Sequence, residues 1–307
     1  MREGELLRHI YTRSEGLRRD FPQVLVGPGH DCAAVLLPGG VALLKVDQII
    51  EGRHFLPGTP LDLIARKSIA RPVSDIAAAA GTPTAALAAA ALPKGYPQEK
   101  ADALFDAAAK WAAHFGCPLV GGDIASLPSD TGALALTVTV MGLPHPTRGP
   151  VLRSGAQSGD GIYVTGAIGG SFDAQGGGRK HLTFEPRVRE AAWLADELGT
   201  RLHAMMDLSD GLGIDAGRMA AASGVGIQID GPRVPLACGQ LREALGSGED
   251  YELLFAATGA VPDRCPDTGT AVTRIGEVLK MPQGRCRVRM GDGSLVDASE
   301  MGWEHRD

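Results

Sequence analysis

Apolar residues recur along the chain in two alternating patterns, short runs typical of strands and longer stretches with a helical period. In the first half, the patterns predict strands at 41–46 and 133–141 and helices at 60–81 and 98–115. In the second half, they predict strands at 161–165, 225–229 and 251–255 and helices at 187–198 and 211–222. This alternation predicts an α/β (α+β) protein in which mixed sheets pack against helices.

Breaks in the pattern suggest two domains. Residues 144–150 contain three prolines and a glycine, and they predict a linker that divides the chain into 1–146 and 147–307. The glycine-rich segment 166–178 is too long for a tight turn and predicts a mobile loop. The alanine-rich stretches 77–80 and 85–92 predict packed helix, because alanine has the highest helix propensity.

The composition describes a soluble globular protein rather than a membrane protein. Of the 307 residues, 44% are hydrophobic and 21% are charged. No apolar run reaches the ~20 residues that a membrane-spanning helix needs. The first residues carry alternating charges and no apolar signal region, so we expect a cytoplasmic protein without a membrane partner.

Cysteines and net charge narrow the possible partners. The five cysteines are widely spaced and form no C-x-x-C pair, so we expect reduced thiols and no zinc site. A net charge of −6 without a basic stripe argues against nucleic acid as a partner. If the acidic residues gather at one site, divalent metal ions are the natural partners.

Six aspartates follow apolar runs or precede glycines and polar turns. They are Asp31, Asp47, Asp75, Asp123, Asp207 and Asp210. Carboxylates at strand ends lie at the rim of a sheet, where α/β proteins place ligands, and magnesium prefers oxygen ligands. The residues alone leave two readings open, a metal site that binds phosphates or ordinary turn and N-cap aspartates.

The motifs around these aspartates resemble those of the thiamine-monophosphate kinases, a family related to aminoimidazole ribonucleotide synthetase and selenophosphate synthetase. The resemblance spans nearly the whole chain, and the order of the motifs makes it specific. The matching segments are Gly29-His30-Asp31-Cys32-Ala33-Ala34, Val46-Asp47-Gln48, Glu51-Gly52-Arg53-His54-Phe55, Ser74-Asp75-Ile76, Gly121-Gly122-Asp123, Arg153-Ser154-Gly155-Ala156, Gly159-Asp160, Asp207-Leu208-Ser209-Asp210-Gly211-Leu212, Ser247-Gly248-Glu249-Asp250-Tyr251-Glu252-Leu253 and Gly302-Trp303-Glu304-His305.

The resemblance implies a two-domain aminoimidazole-ribonucleotide-synthetase-like fold and a homodimer. It implies an ATP-dependent kinase that converts thiamine monophosphate to thiamine diphosphate, with Mg²⁺ as cofactor and ATP as co-substrate. The first domain would bind ATP and metal and form the dimer, and the second would complete the substrate site. The six aspartates above would be metal ligands; Gly122, Arg153 and Ser209 would bind ATP; His54, Glu249 and Trp303 would bind thiamine monophosphate.

These implied roles agree with the chemistry of the reactants. A cationic thiazolium and a flat aminopyrimidine suit a carboxylate and an aromatic face. The nucleophile, a phosphate oxygen, is already ionised at neutral pH, so we expect no general base and no phosphoenzyme. Direct in-line transfer then depends on alignment and on neutralising two polyanions.

Four departures from the family pattern lie on the metal and phosphate side. His30 stands where the family has a first aspartate, Lys45 and Ile124 replace hydroxyl residues, and Pro72 replaces an asparagine. Because residues two apart on a strand share a face, Lys45 should point the same way as Asp47. We therefore expect the Lys45 ammonium to replace part of the charge of one magnesium ion, unless this lysine simply faces solvent.

Two rival functions remain open at this stage. One is another enzyme of the superfamily, although no Cys or Lys lies in the expected N-terminal glycine-rich loop and the chain ends without a reactive cysteine. The other is a nucleotide- or thiamine-binding protein of altered substrate or without turnover, because the four departures weaken the metal site. Formation of ADP with and without thiamine monophosphate separates these cases.

Overall fold

The computed structural model describes residues 3–129, 132–173, 177–237, 239–280 and 284–303. Among these residues, no helix is long and apolar enough to cross a membrane. The elements form two sheets, one in each half of the chain, and a long buried helix lies between them.

The described residues of the first half form a six-stranded sheet and four helices. Its strands are β1 Val24–Val26, β2 Ala33–Leu37, β3 Gly40–Ile50, β4 Thr82–Leu92, β5 Leu119–Ser126 and β6 Ala135–Leu143. Its helices are α1 Glu3–Arg13, α2 Leu17–Asp20, α3 Leu61–Ala78 and α4 Gln98–His114. The strand order is β1-β2-β3-β6-β4-β5, with β4 and β5 parallel and the other neighbours antiparallel, so the sheet is mixed.

The alanine-rich stretch 85–92 contradicts its predicted helix, because it forms most of β4. This strand pairs with β6 on one side and with β5 on the other. Its even-numbered residues from Ala86 to Leu92 are buried on the side that faces α3 and α4. Two ladders of hydrogen bonds and a tight fit beneath two helices outweigh the intrinsic helix propensity of alanine, which is a weak preference.

In the part of the second half that the structure describes, there are a seven-stranded sheet and four α-helices. Its strands are β7 Gly161–Thr165, β8 Leu202–Asp207, β9 Gly226–Asp230, β10 Leu253–Ala257, β11 Val272–Leu279, β12 Arg285–Arg289 and β13 Leu295–Asp297. Its helices are α5 Lys180–Thr183, α6 Val188–Leu198, α7 Leu212–Ser223 and α8 Leu241–Gly246. The strand order is β13-β12-β9-β11-β7-β10-β8, in which only the β9–β12 pair is parallel.

Helix α3 packs against the sheets of both halves. Fourteen of its eighteen residues are buried, including Lys67 and Asp75, although the helix carries several charges. Ala77 and Ala78 pack in one cluster with Met205 of β8, while Ile69 and its neighbours pack under the first sheet. A helix buried on all sides must pair its charged groups inside the protein.

Most predicted elements are confirmed with shifts of one or two residues. The helix predicted at 60–81 continues through Pro72 as α3. The helix predicted at 211–222 is α7, which ends at Ser223 and is capped by Gly224 with a left-handed backbone. The strand at 251–255 begins later, at Leu253, because Glu249 and Tyr251 have positive φ angles. In the glycine-rich segment, residues 174–176 lie outside the described part, so its mobility stays a prediction. Gly169 and Ser171 in that segment donate hydrogen bonds to Asp250.

Candidate active site

Three buried carboxylates from distant parts of the chain meet at the junction of the two halves. Asp31 lies just before β2, Asp75 lies on α3, and Asp207 ends β8. One ligand oxygen from each lies within 4.8 Å of the others. We call these three residues the acidic cluster. The sequence prediction of converging aspartates is therefore confirmed for these three.

The prediction that these aspartates lie at the ends of strands is wrong for several of them. Asp47 lies inside β3 and Asp123 inside β5, whereas Asp75 lies near the end of a helix. Of the six predicted metal ligands, only Asp207 is the last residue of a strand. The carboxylates converge because α3 packs between the first sheet and β8, and not because they share the rim of one sheet.

The acidic cluster is held by partners that offset part of its charge. The Arg153 guanidinium donates to Asp31 Oδ1 through Nη2 at 2.7 Å and Nε at 3.0 Å. Ser74 Oγ donates to Asp207 Oδ2 at 2.6 Å. Burial, followed by the charge of Asp31, raises the pKa of Asp207 to about 6. Burial also raises the pKa of Asp75 well above its ordinary value, so the cluster favours an additional positive charge.

Lys45 supplies one such charge within the protein. Its Nζ atom lies 2.8 Å from Asp75 Oδ1 and 3.7 Å from Asp47 Oδ1. The prediction that Lys45 points the same way as Asp47 is therefore confirmed, and the solvent-facing alternative is wrong. Burial opposes its charge, but Asp47 and Asp75 raise the Lys45 pKa well above the ordinary value.

Gly122 and Asp123 lie apart from the acidic cluster. Strand pairing places Gly122 in one row with Ala88, Val138 and Asp47. Three strand spacings separate Gly122 from Asp47, which corresponds to roughly 14 Å. Asp123 is exposed on the edge strand β5. Within one chain, these two residues do not join the three buried carboxylates.

The edge strand instead borders a shallow hollow of about 530 Å³. Gly121, Gly122, Asp123 and Ile124 form one wall, and Phe105 of α4 lies on another. Asp210 is also separate from the cluster, because its carboxylate pairs with Arg218. The six predicted metal ligands thus divide into the buried three, Asp47 beside Lys45, and the two outliers Asp123 and Asp210.

A second cavity, of about 380 Å³, brings together the predicted substrate residues. We call it the α3 cavity, since Arg71 of α3 forms part of its wall. Its lining residues are Arg53, His54, Arg71, Phe172, Ser209, Asp210, Ser247, Glu249 and Trp303. It lies next to the acidic cluster, because Ser209 and Asp210 follow Asp207 along the chain.

The hydrogen bond of His54 fixes which ring nitrogen carries the proton. The Ile50 backbone N–H donates to His54 Nδ1 at 3.0 Å, so in the neutral ring the proton resides on Nε2. His54 therefore carries a hydrogen-bond donor at a cavity that also contains two arginines, Arg53 and Arg71. This end of the cavity suits an anionic group.

Glu249 is kept ionised by a buried lysine. Lys67 Nζ donates to Glu249 Oε2, to the His54 carbonyl at 2.7 Å, and contacts His181 Nδ1 at 2.9 Å. Burial opposes ionisation of Glu249, but Lys67 and His181 lower its pKa to about 2. Burial lowers the pKa of Lys67 to about 8. The cavity therefore has a fixed carboxylate, which suits a cationic ligand group.

Trp303 presents an aromatic face at the same cavity. The Arg53 guanidinium lies 4.0 Å from the centre of the Trp303 ring, which shows that this face accepts a cation. The indole is 37% exposed and can therefore contact a ligand. Glu304 and His305 of the same motif lie outside the described residues.

Several residues of the site were not predicted from the sequence. Lys67 and Arg71 precede Asp75 at intervals of four, a spacing that places all three on one face of α3 and was a usable signal. His181 and Phe172 have no comparable signal, because their rings stack on each other only after the chain folds, with centroids 4.8 Å apart.

The departures from the family pattern have visible consequences. Burial lowers the pKa of His30, so its imidazole is neutral, and its Nδ1 atom has no hydrogen-bond partner in the described part of the chain. His30 borders a wider cleft with Arg153 and Tyr11 instead of completing the acidic cluster. Ile124 is 61% exposed on β5 and places an apolar side chain where the family pattern has a hydroxyl residue.

The fold and the site define the class of protein. Residues 29–143 match the family AIR synthase related protein, N-terminal domain, and residues 157–289 match AIR synthase related protein, C-terminal domain. The predicted two-domain aminoimidazole-ribonucleotide-synthetase-like fold is thereby confirmed.

Individual relatives show to which family within that class the chain belongs. The chain is 35% identical over 286 residues to the thiamine-monophosphate kinase of Rhodopirellula baltica, covering 86% of each chain. It is 32% identical to the Escherichia coli K12 thiamine-monophosphate kinase, covering 99% of this chain and 98% of the relative. The solved structure of AaThiL complexed with AMPPCP and TMP has a TM-score of 0.78 and 25% identity, covering 99% of this chain and 97% of that chain. The chain belongs to the thiamine-monophosphate kinase family and is an enzyme.

Proposed function

We propose that this enzyme transfers the terminal phosphoryl group of ATP to thiamine monophosphate, giving thiamine diphosphate and ADP. The observation that carries the proposal is the position of the acidic cluster beside a cavity that contains His54, Glu249 and Trp303. Binding of an ATP analogue and TMP by the related AaThiL supports it. A cavity with cationic and anionic ends matches a substrate that carries both a phosphate and a thiazolium.

Magnesium is the metal that fits the acidic cluster. Asp31, Asp75 and Asp207 offer three buried carboxylate oxygens, which are the ligands that Mg²⁺ prefers. Asp47 adds a fourth carboxylate, while Lys45 and Arg153 offset two charges, so the group keeps a formal charge of −2. A bound magnesium ion would neutralise phosphate oxygens there. Asp123 and Asp210 would contribute only where phosphates extend beyond the cluster.

The nucleotide would extend from the acidic cluster to the edge strand β5. We propose that Arg153 and Ser209 contact its phosphates and that Gly122 allows close approach at the other end. The hollow beside Gly122 is lined by Phe105, whose ring suits a base.

The protein's own role in the transfer is alignment and charge neutralisation. Glu249 would hold the cationic ring of the acceptor, Trp303 would stack on its flat ring, and His54 would donate from Nε2 to the acceptor phosphate. The attacking oxygen needs no general base, since it is already ionised. In-line transfer then follows from holding donor and acceptor phosphates end to end.

Lys45 lets this enzyme work with less bound magnesium than a site with a hydroxyl at that position. Its ammonium already contacts Asp75 and Asp47, so one of these two carboxylate charges is neutralised without metal. Replacing Lys45 by serine should increase the number of Mn²⁺ ions bound in electron paramagnetic resonance titrations, and raise the Mg²⁺ concentration needed for half-maximal rate. Unchanged metal stoichiometry and dependence in Lys45→Ser would rule out the substitution of charge.

We also propose that the enzyme is a homodimer formed through the open face of the first sheet. This face carries exposed apolar side chains on neighbouring strands: Leu44, Val46, Leu87, Val120, Met141 and Leu143. A contiguous apolar patch of this kind is typical of an interface. Val46→Lys should give a monomer in light-scattering chromatography, whereas Leu295→Lys, at an equally exposed apolar position of the other sheet, should not.

The activity is tested by measuring ADP formation with purified protein, ATP and Mg²⁺, with and without thiamine monophosphate. We expect ADP and thiamine diphosphate in equal amounts, dependent on the acceptor. ATP binding without turnover would instead support the non-catalytic alternative, and turnover with another phosphate ester would support altered substrate choice. The domain boundary at 146/147 and the cytoplasmic location stay predictions.

A further inference from the structure

Helix α3 arranges three charged residues along one face. Lys67, Arg71 and Asp75 follow one another at intervals of four residues, which corresponds to about 6 Å along the helix axis per step. Lys67 pairs with Glu249, and Asp75 belongs to the acidic cluster. Arg71 lies between them and lines the α3 cavity. The helix therefore orders an anionic end, a central cation and a metal-binding end.

Arg71 carries a charge that the folded chain does not fully use. Its Nη1 atom donates to the Gln48 carbonyl at 3.1 Å. Its Nε atom is buried and has no hydrogen-bond partner in the described part of the chain. None of the described carboxylates lies within 4.0 Å to form an ion pair with it. The half-buried guanidinium thus brings a positive charge to the cavity wall without a carboxylate partner among the described residues.

A second unsatisfied donor lies close to the same guanidinium. The Tyr251 side chain is 3% exposed, and its hydroxyl has no hydrogen-bond partner among the described residues. Burial opposes the charge on Arg71, but Tyr251, then Asp47 and Glu249, raise its pKa above the ordinary value. The guanidinium is therefore always charged. A permanent positive charge on the wall of the α3 cavity suits an anionic ligand group.

We propose that Arg71 binds the acceptor phosphate together with His54 and is the residue that selects for a phosphorylated acceptor. This inference rests on the proposed function, because it assigns the phosphate of thiamine monophosphate to the centre of α3. With the cationic ring at Glu249, a phosphate one helical step away, at about 6 Å, lies level with Arg71. The next step leads to Asp75, where the donor phosphates and metal would meet.

This placement has a consequence for the reaction as well as for binding. Two polyanions must approach each other for transfer, and a fixed cation beside the acceptor reduces their repulsion. Arg71 cannot lose its proton at any working pH, so this contribution needs neither metal nor general base. The phosphate oxygens can accept from Nη2, while Nη1 remains on the Gln48 carbonyl and Nε is enclosed by protein atoms.

The test compares two ligands that differ only by the phosphate, thiamine and thiamine monophosphate, in calorimetric titrations without ATP. Wild type should bind the monophosphate at least tenfold more tightly, since a charged hydrogen-bonded contact has that magnitude. Arg71→Met should remove that preference and leave thiamine affinity within about twofold. Arg71→Lys should restore part of it. Arg53→Met, at another arginine of the same cavity, should weaken both ligands alike because Arg53 packs on Trp303.

Every result of this binding comparison either supports or overturns the proposed role of Arg71. Arg71→Gln keeps a donor for the Gln48 carbonyl and serves if Arg71→Met does not fold, as judged by circular dichroism and thermal unfolding. The proposal is overturned if both variants keep the wild-type preference, if both ligands weaken together, or if wild type shows no preference. A wild type that binds the monophosphate but forms no ADP would refute the proposed function, and the binding comparison would still decide the role of Arg71.

Discussion

The buried pair Lys67–Glu249 predicts an unusual result, in which a second mutation increases the stability of a destabilised variant. Burial lowers the Lys67 pKa from 10.5 to about 8, which at neutral pH opposes folding by about 3 kcal/mol. Lys67 and His181, outweighing burial, lower the Glu249 pKa from 4.5 to about 2, which favours folding by about 3 kcal/mol. The Lys67–Glu249 attraction contributes to both pKa shifts but stabilises the fold only once, against the burial of both groups, so the pair adds little net stability.

Removing one partner leaves the other charge buried without compensation. Lys67→Met should therefore lower the free energy of unfolding by roughly 3 kcal/mol, and Glu249→Gln by a similar amount. The double variant contains no unpaired charge, so it should be more stable than Lys67→Met alone. Its remaining loss comes from the His54 carbonyl and His181, which no longer have Lys67 as a partner.

The measurement is urea unfolding at pH 7, followed by tryptophan fluorescence, for wild type, both single variants and the double variant. The matched control is the exposed pair Lys110–Asp62, whose atoms are 3.0 Å apart with side chains 64% and 48% exposed. Its coupling energy should be below about 1 kcal/mol. If the two losses simply add in Lys67→Met/Glu249→Gln, the charges do not depend on each other and the reasoning is refuted.

Three further predictions concern the same molecule. Because the folded-state pKa of Glu249 lies below its ordinary value, its stabilisation is present above pH 4.5 and is lost as pH falls towards 2, so acid unfolding of wild type should be steeper than that of the Lys67→Met/Glu249→Gln variant. Gly122→Ala should lower the unfolding temperature by several degrees, since an added Cβ would lie 1.8 Å from the Ala88 carbonyl oxygen; a similar loss in Gly39→Ala, where no atom lies within 4 Å, would contradict this explanation. Burial raises the pKa of the Cys286 thiol to about 12, so iodoacetamide at pH 8 should modify it only after denaturation, and mass spectrometry showing modification of the folded enzyme would disprove this.

The sequence determined the elements whose pattern is local. Helix α4 and strand β7 end within a residue of their predicted limits, because their periodicity and boundary residues are encoded in adjacent positions. The motifs likewise singled out six aspartates as metal ligands, and three of these meet within 4.8 Å. The predicted substrate residues His54, Glu249 and Trp303 share one cavity.

Only the tertiary structure decided the features that depend on which segments pack together. The alanine-rich segment became β4 because two neighbouring strands and two covering helices favoured a thin strand over a helix. Two intervening strands separate Asp123 of β5 from Asp47 of β3, which no local pattern reveals. Lys67 and Arg71 gained their roles from the burial of α3 between the two sheets. Charge interactions strengthen when water is excluded, so the function of these residues depends on long-range packing that the local sequence does not encode.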